Sequence, residues 1–345
     1  MLALVKRQQG AGHVELIDVP EPKPGPGEVK IRVEEAGICG TDLHMLHGQA
    51  FAFAPPVTLG HEFGGVIEAV GAGVTMWQVG DRVTSEPPVQ TCGVCEYCRL
   101  GLPALCSDRR SLGSGVNGAF ARYVVAPVHR LHRLPPQVDF VSAALVEPAA
   151  CCVHAVIEQG SVLAGDTVLV TGPGPIGLLA AQVAKAQGAR VLLVGTPDDA
   201  ERLRIGREVG VDATFTTQQG AIQDIARDFS GGLGVNVVLE CSGAQPAVRA
   251  GMDALKKRGH YVQIGLLSRP IEVDVGLFVT KELLVTGSFG STYTSWERAL
   301  GLIAQGRIHT HPLVTDHLPL SRWEEGFAKM ERKQGCKIVL QLGEA

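Results

Sequence analysis

The chain has 345 residues, 45% of them hydrophobic and 19% charged, with a formal net charge of −4 and no basic block. This length suits two domains of roughly 100–200 residues each, and the apolar content excludes a disordered chain. The charge balance excludes a nucleic-acid phosphate track and an anionic-membrane footprint, so the expected partner is a small molecule.

Residues 1–5 are apolar but too few for a signal-peptide core, and Lys6-Arg7 follow them, so a cytoplasmic protein is expected. In that reducing compartment the nine cysteines are expected as metal ligands rather than disulfides. The longest apolar region, residues 141–170, is interrupted by Glu147, Pro148, His154, Glu158 and Asp166, so no membrane span is predicted.

Residues 1–150 read as short strands punctuated by turns. Residues 20–27 are too proline-rich for a helix, and the run Glu28-Val29-Lys30-Ile31-Arg32-Val33 alternates polar and apolar as a half-buried strand does. Glycines bound another strand within 64–73 and recur at Gly80. From Gly165 the pattern changes. Strands are predicted at 167–170, 190–194, 213–216, 235–240 and 260–264, separated by helices at 175–187, 200–209, 222–229 and 246–255. Such alternation predicts a parallel sheet with helices on both faces, a doubly wound domain over 151–286. Residues 287–345, with helices at 296–305 and 322–329 and a strand at 337–342, are expected to complete the first module.

Three groups of residues carry chemistry. Gly172, Gly174 and Gly177, in the run Thr171-Gly172-Pro173-Gly174-Pro175-Ile176-Gly177, have G-x-G-x-x-G spacing between a predicted strand and a predicted helix. The first glycine permits the turn, the second admits a pyrophosphate to the backbone, and the third lets helix and strand pack closely. An NAD site usually places Asp or Glu at the end of the next strand, on the ribose 2′-hydroxyl; this chain has Gly195. Thr196, Arg202 and Arg204 could donate to a 2′-phosphate, whereas Asp198-Asp199 could return a carboxylate to the ribose. NAD and NADP both stay open, with a slight lean to NADP. Ile264, closing the strand at 260–264, is a further candidate nucleotide contact.

Cys92, Cys95, Cys98 and Cys106 form a C-x₂-C-x₂-C-x₇-C array, which can close a tetrahedral structural zinc site. A ferredoxin-type iron–sulfur run would place its fourth cysteine three residues on, followed by proline. The third group is dispersed: Cys39-Gly40-Thr41-Asp42-Leu43-His44, then Gly60-His61-Glu62, then Leu145-Val146-Glu147-Pro148. Thiolate, imidazole and carboxylate are all zinc ligands. Taken singly, Cys39 reads equally as a small buried apolar residue, His61 as a core histidine, His44 as a surface histidine and Glu147 as a surface charge.

Together these segments resemble the zinc-containing medium-chain dehydrogenase/reductase family of alcohol and polyol dehydrogenases. The resemblance runs over essentially the whole chain and includes Gly80-Asp81-Arg82-Val83, Gly118-Ala119-Phe120-Ala121-Arg122-Tyr123 and Lys337-Ile338-Val339-Leu340. It implies a GroES-like β-rich catalytic domain carrying the structural zinc lobe, followed by a Rossmann domain. It implies Cys39 and His61 as catalytic-zinc ligands and Glu62 and Glu147 as ligands or near-ligands. Thr41 and His44 would form a proton relay through the cofactor ribose, with Asp42 orienting His61. Glu147 stands where classical alcohol dehydrogenases have a third cysteine, and its setting is similar to the sorbitol and threonine dehydrogenase branch. The sorbitol branch carries Phe-Arg where this chain has Phe289-Gly290, which puts sorbitol itself in doubt. Cys151, Cys152, Cys241 and Cys336 show no ligand pattern.

The expected protein is thus a zinc-dependent alcohol dehydrogenase using NAD or NADP on a secondary hydroxyl of a polyol, sugar or hydroxy-amino acid, with its active site between the domains. The alternative in the same class is an L-threonine 3-dehydrogenase, and in another class a non-catalytic nucleotide-binding sensor. The family also implies a homo-oligomer, a tetramer or dimer.

Overall fold

The computed structural model describes residues 1–49, 54–267 and 269–343. In chain order its strands are β1 (Leu2–Lys6), β2 (Val14–Asp18), β3 (Glu28–Gly37), β4 (Val57–Thr58), β5 (Glu62–Val70), β6 (Arg82–Ser85), β7 (Tyr123–Pro127), β8 (Leu131–Arg133), β9 (Thr167–Thr171), β10 (Arg190–Gly195), β11 (Ala213–Thr216), β12 (Val235–Glu240), β13 (Leu255–Gln263), β14 (Leu284–Gly287), β15 (Val314–Pro319) and β16 (Lys337–Gln341). The chain divides into two compact units, Met1–Glu147 with Val314–Ala345, and Pro148–Leu313.

In the first unit β3 is the organising strand. Its alternation buries Val29, Ile31 and Val33 on one face, and its last three residues are buried outright. It pairs antiparallel with β5, β7 and β16, in a sheet of order β15-β16-β3-β5-β6-β8 with β7 also on β3. Leu4, Ile38, Phe63, Phe120, Phe327 and Ile338 belong to the core beneath it. A small sheet, β2-β1-β4, completes the unit.

The second unit is a six-stranded parallel sheet of order β11-β10-β9-β12-β13-β14. Numbered within the unit this is 3-2-1-4-5-6, the doubly wound order, with its switch point between β9 and β12. Runs such as Val168-Leu169-Val170 and Val191-Leu192-Leu193 are fully buried, as strands covered on both faces must be.

The second unit extends beyond the expected 151–286. Leu284–Gly287 adds the sixth strand, and the helix Tyr293–Ala304 buries Trp296, Ala299, Leu300 and Ile303. Gln182 then grips the chain further on, its Nε2 donating to His309 O (3.3 Å) and its Oε1 accepting from His309 N (2.7 Å). Residues 287–313 therefore pack with the parallel sheet, and it is β15 onward that returns to the first unit. No helix among the described residues is long and apolar enough to cross a membrane.

Candidate functional site

The register of two strands assembles the first cluster. Gly37 at the end of β3 lies opposite Glu62 at the start of β5, so the residues just outside them, Cys39 and His61, become neighbours. Ligand atoms of Cys39, His61 and Glu62 all lie within 4.8 Å of one another. Cys39 precedes the helix Gly40–Leu46, and Asp42 fixes that turn by accepting from Cys39 N (2.9 Å) through Oδ2. The other oxygen, Asp42 Oδ1, is buried and makes no hydrogen bond among the described residues, leaving an acceptor beside the cluster. Thr41 Oγ1 sits 3.6 Å from Cys39 Sγ. His44, half-buried, lies one helical turn beyond Thr41 on the same helix.

Lys337 at the start of β16, a residue to which the sequence analysis attached no role, closes this cluster from behind. Both Lys337 and Glu62 side chains are only 2% exposed, and Lys337 Nζ donates to Glu62 Oε2 and to Ile38 O (2.9 Å for the latter). One ammonium thus holds a carboxylate of the cluster and the backbone leading into Cys39. Glycine is required at position 37 for this contact, because a Cβ there would come within 2.5 Å of Glu62 Oε2 and 2.7 Å of Lys337 Cε.

The charge balance fits a divalent metal. Burial disfavours a protonated His61, yet the Cys39 sulfur, Asp42 and Glu147 outweigh it and hold the imidazole pKa well above its ordinary value. Likewise burial works against the Lys337 ammonium, and Glu62, Cys39 and Glu147 overcome it. A group of anionic donors that draws protons onto its bases is one in which a dication can take their place. Glu147 acts on both His61 and Lys337 electrostatically, while Glu62 belongs to the tight cluster with one oxygen already committed to Lys337.

Cys92, Cys95, Cys98 and Cys106 also gather within 4.8 Å. Their sulfurs lie 3.9 Å (Cys92 to Cys98) and 3.7 Å (Cys106 to Cys92) apart, against the ~3.8 Å edge of a tetrahedron with ~2.3 Å Zn–S bonds. Backbone N–H groups point inward, from Cys95 to Cys92 Sγ (3.3 Å), Cys98 to Cys95 Sγ (3.5 Å) and Cys92 to Cys106 Sγ (3.5 Å). Such bonds, from Val94 and Cys95, bring the Cys92 thiol down to about 7. All nine cysteines are free of disulfides.

In the second unit the glycine turn follows β9 and opens the helix Pro175–Ala186, with Pro175 at its first position. Gly172 has φ +87, and a Cβ on Gly177 would lie 1.9 Å from Gly172 O, whereas a Cβ on Gly174 meets nothing within 4 Å. Those are the tight turn, the close packing and the open approach that a dinucleotide pyrophosphate needs. Ile176 O accepts from Cys152 Sγ (3.3 Å), and Ile264 N donates to Glu240 O (2.9 Å). Glu240, fully buried and absent from the sequence reading, ties the carboxyl ends of three strands together. It accepts from Thr171 Oγ1 (3.3 Å), Ser242 N (2.8 Å), Gly243 N (2.9 Å) and Gln263 Nε2 (2.7 Å). At the end of β10, Gly195 is followed by Thr196, whose side chain bonds Asp199, and Arg202 faces Asp199. Arg204 pairs instead with Glu208 on an exposed helix face (2.8 Å).

Two family profiles match, the alcohol dehydrogenase GroES-like domain over residues 25–136 and the zinc-binding dehydrogenase domain over 175–305. The chain is also 45% identical over 341 residues to a sorbitol dehydrogenase of Halalkalibacterium halodurans, covering 99% of both chains. It belongs to the zinc-type medium-chain alcohol and polyol dehydrogenase family. Within that family it is 36% identical to an L-threonine 3-dehydrogenase of Xanthomonas oryzae pv. oryzae, over 99% of both chains. Among solved structures, a putative zinc-binding dehydrogenase from Sinorhizobium meliloti 1021 bound to NADP superposes with a TM-score of 0.90, at 33% identity over 99% of this chain and 98% of that one. The zinc-type dehydrogenase assignment accounts for a β-rich unit bearing the cysteine lobe and a separate doubly wound unit bearing the glycine turn.

Proposed function

We propose that this chain is a zinc-dependent dehydrogenase that transfers hydride between a secondary hydroxyl of a polyol or sugar and the nicotinamide of NAD(P). The observation that carries the proposal is the cluster of half-buried Cys39 and His61 with buried Glu62, in a chain whose sorbitol dehydrogenase relative is more similar than its threonine dehydrogenase relative.

Zinc bound there supplies Lewis-acid polarisation that brings a hydroxyl pKa toward neutrality, and the nicotinamide supplies the hydride acceptor. Cys39 and His61 would hold the metal, with Glu62 and Glu147 as the carboxylates available to complete or exchange in its shell. Asp42 accepts from the backbone at Cys39 through one oxygen and keeps the other buried without a hydrogen bond, an acceptor available to orient His61. Thr41 Oγ1, beside the Cys39 sulfur, takes the proton released from the substrate hydroxyl, and His44 one turn on the same helix passes it outward. Cys92, Cys95, Cys98 and Cys106 would hold the structural zinc, and Gly172, Gly174, Pro175, Ile176 and Gly177 the cofactor pyrophosphate. The test is oxidation of a panel of polyols and amino alcohols by purified protein with NAD and NADP. Turnover of amino alcohols alone would favour the threonine dehydrogenase reading, and none at all the sensor reading.

We also propose a homo-oligomer formed through the second unit. Its support is β14, the outer strand of the parallel sheet, where Leu284 and Val285 are 56% and 37% exposed. An exposed apolar edge strand pairs readily with a second copy. The free cysteines support a cytoplasmic location.

A further inference from the structure

Three chain segments converge just beyond the carboxyl ends of β9, β12 and β13, and glycine stands at each crossing because the backbones touch. A Cβ on Gly172 would lie 2.8 Å from Ser242 Cβ, one on Gly243 would lie 2.2 Å from Leu266 O, and one on Gly265 would lie 2.3 Å from Gly243 N. A doubly wound sheet takes its dinucleotide in the crevice outside these strand ends, at the switch point, which here falls between β9 and β12. Glu240, the last residue of β12, lies at this convergence and is fully buried.

The carboxylate of Glu240 is held by neutral donors. Oε1 accepts from Thr171 Oγ1 (3.3 Å), Ser242 N (2.8 Å) and the Ser242 hydroxyl, and Oε2 accepts from Gly243 N (2.9 Å) and Gln263 Nε2 (2.7 Å). Both oxygens accept from N–H groups, the pattern of an ionised carboxylate. Its partners among the described residues include no cation, so its charge is solvated by dipoles and not cancelled. The surroundings feel that charge. Burial raises the Cys241 thiol, with the Cys152 sulfur and Glu240 adding to the rise, and burial together with Glu240 and Cys241 raises the Tyr261 phenol.

We infer that Glu240 biases the nucleotide crevice toward the oxidised cofactor, a buried anion that favours the cationic nicotinamide over the neutral dihydronicotinamide. It acts through its field and not as a ligand. The inference deepens the proposed dehydrogenase function and rests on it. The two redox forms of the cofactor differ by one positive charge on the nicotinamide and share the same adenosine and pyrophosphate. A fixed anion therefore changes the ratio of their affinities, whereas a carboxylate that only fastens three strand ends together affects both affinities alike.

Binding alone tests this. Kd is measured by calorimetry and nicotinamide fluorescence for NAD⁺ and NADH, and in parallel for NADP⁺ and NADPH, on zinc-loaded wild type, Glu240→Gln and Gln263→Lys, with folding checked by circular dichroism. Glu240→Gln removes the charge, and Gln263→Lys places an ammonium against the same carboxylate. Each is expected to raise the ratio of the oxidised to the reduced Kd by about threefold or more. A ratio equal to that of wild type in either folded variant, even where both affinities fall together, would overturn the role of the charge and leave the dehydrogenase reading intact. Failure of wild type to bind any of the four nucleotides would overturn both. If Glu240→Gln does not fold, Gln263→Lys decides alone.

Discussion

At the scale of single residues, the least expected finding is that a lysine from the last strand holds a carboxylate of the proposed metal cluster. Lys337 and Glu62 are 275 positions apart in sequence, and the motif Lys337-Ile338-Val339-Leu340 shows only a buried strand that begins with a charge. Removing one partner of a buried pair strands the other and costs about 3–5 kcal/mol. Lys337→Met is therefore expected to release the zinc of the Cys39 cluster to a chelator about 10–100 times faster, with Lys337→Arg restoring part of the retention. Zinc retention in Lys337→Met equal to wild type would show that the ammonium does not position Glu62. By contrast Cys39 and His61 were nominated through the family resemblance, since each taken singly reads equally as a core residue. What the residues singly lacked was the strand register, Gly37 opposite Glu62, that brings them together.

At the scale of elements, the cysteine lobe and the start of the second unit make separable predictions. Cys95 precedes the short helix Glu96–Arg99 and accepts from Cys98 N through its sulfur, so it organises the lobe rather than the reaction. Cys95→Ser should lose one zinc per chain and about 5–10 °C of Tm while the folded fraction keeps turnover within about tenfold of wild type. An unchanged melting curve would remove the structural role from the lobe.

The π-helical turn His154–Gln159 is joined to the helix Tyr293–Ala304 by Glu158, which accepts from Thr294 Oγ1 (2.7 Å), Thr292 Oγ1 (2.8 Å) and Arg298 Nη1 (2.9 Å) and lies 2.7 Å from His154 Nδ1. Burial would push the Glu158 carboxyl up, but Thr294, His154 and Thr292 outweigh it and depress its pKa. A depressed carboxylate contributes stability above its unfolded pKa of about 4.3 and loses it as pH falls through the folded value. Glu158→Gln should accordingly be less stable than wild type at pH 6, with the gap closing in the acid limb below about pH 4. A gap independent of pH would mean that the charge of Glu158 contributes nothing.

At the scale of the whole molecule, the doubly wound unit was legible almost strand by strand, since its alternation of buried runs and helices is a local property. Its far edge was not: Leu284–Gly287 is four residues long and largely exposed, and nothing local marks it as a sheet member. The expected boundary at 286 moved to Leu313 because β14 joins the sheet and Gln182 binds the backbone at His309. The same exposed edge argues for self-association. Sedimentation at micromolar concentration should show a dimer or tetramer, and Val285→Lys, which places a charge on that edge, should shift it toward monomer. A wild-type monomer would contradict the proposed assembly.

If the Cys39 cluster is a catalytic metal site serving polyol oxidation, kcat/KM for a polyol panel with NAD(P) depends on it, and the decisive comparison is zinc-loaded wild type against Cys39→Ser with its fold checked by circular dichroism. Wild type is expected to oxidise a secondary hydroxyl, and the folded variant to lose on the order of 10³-fold or more. Turnover that survives in Cys39→Ser, or a wild type that oxidises none of the panel, would contradict it.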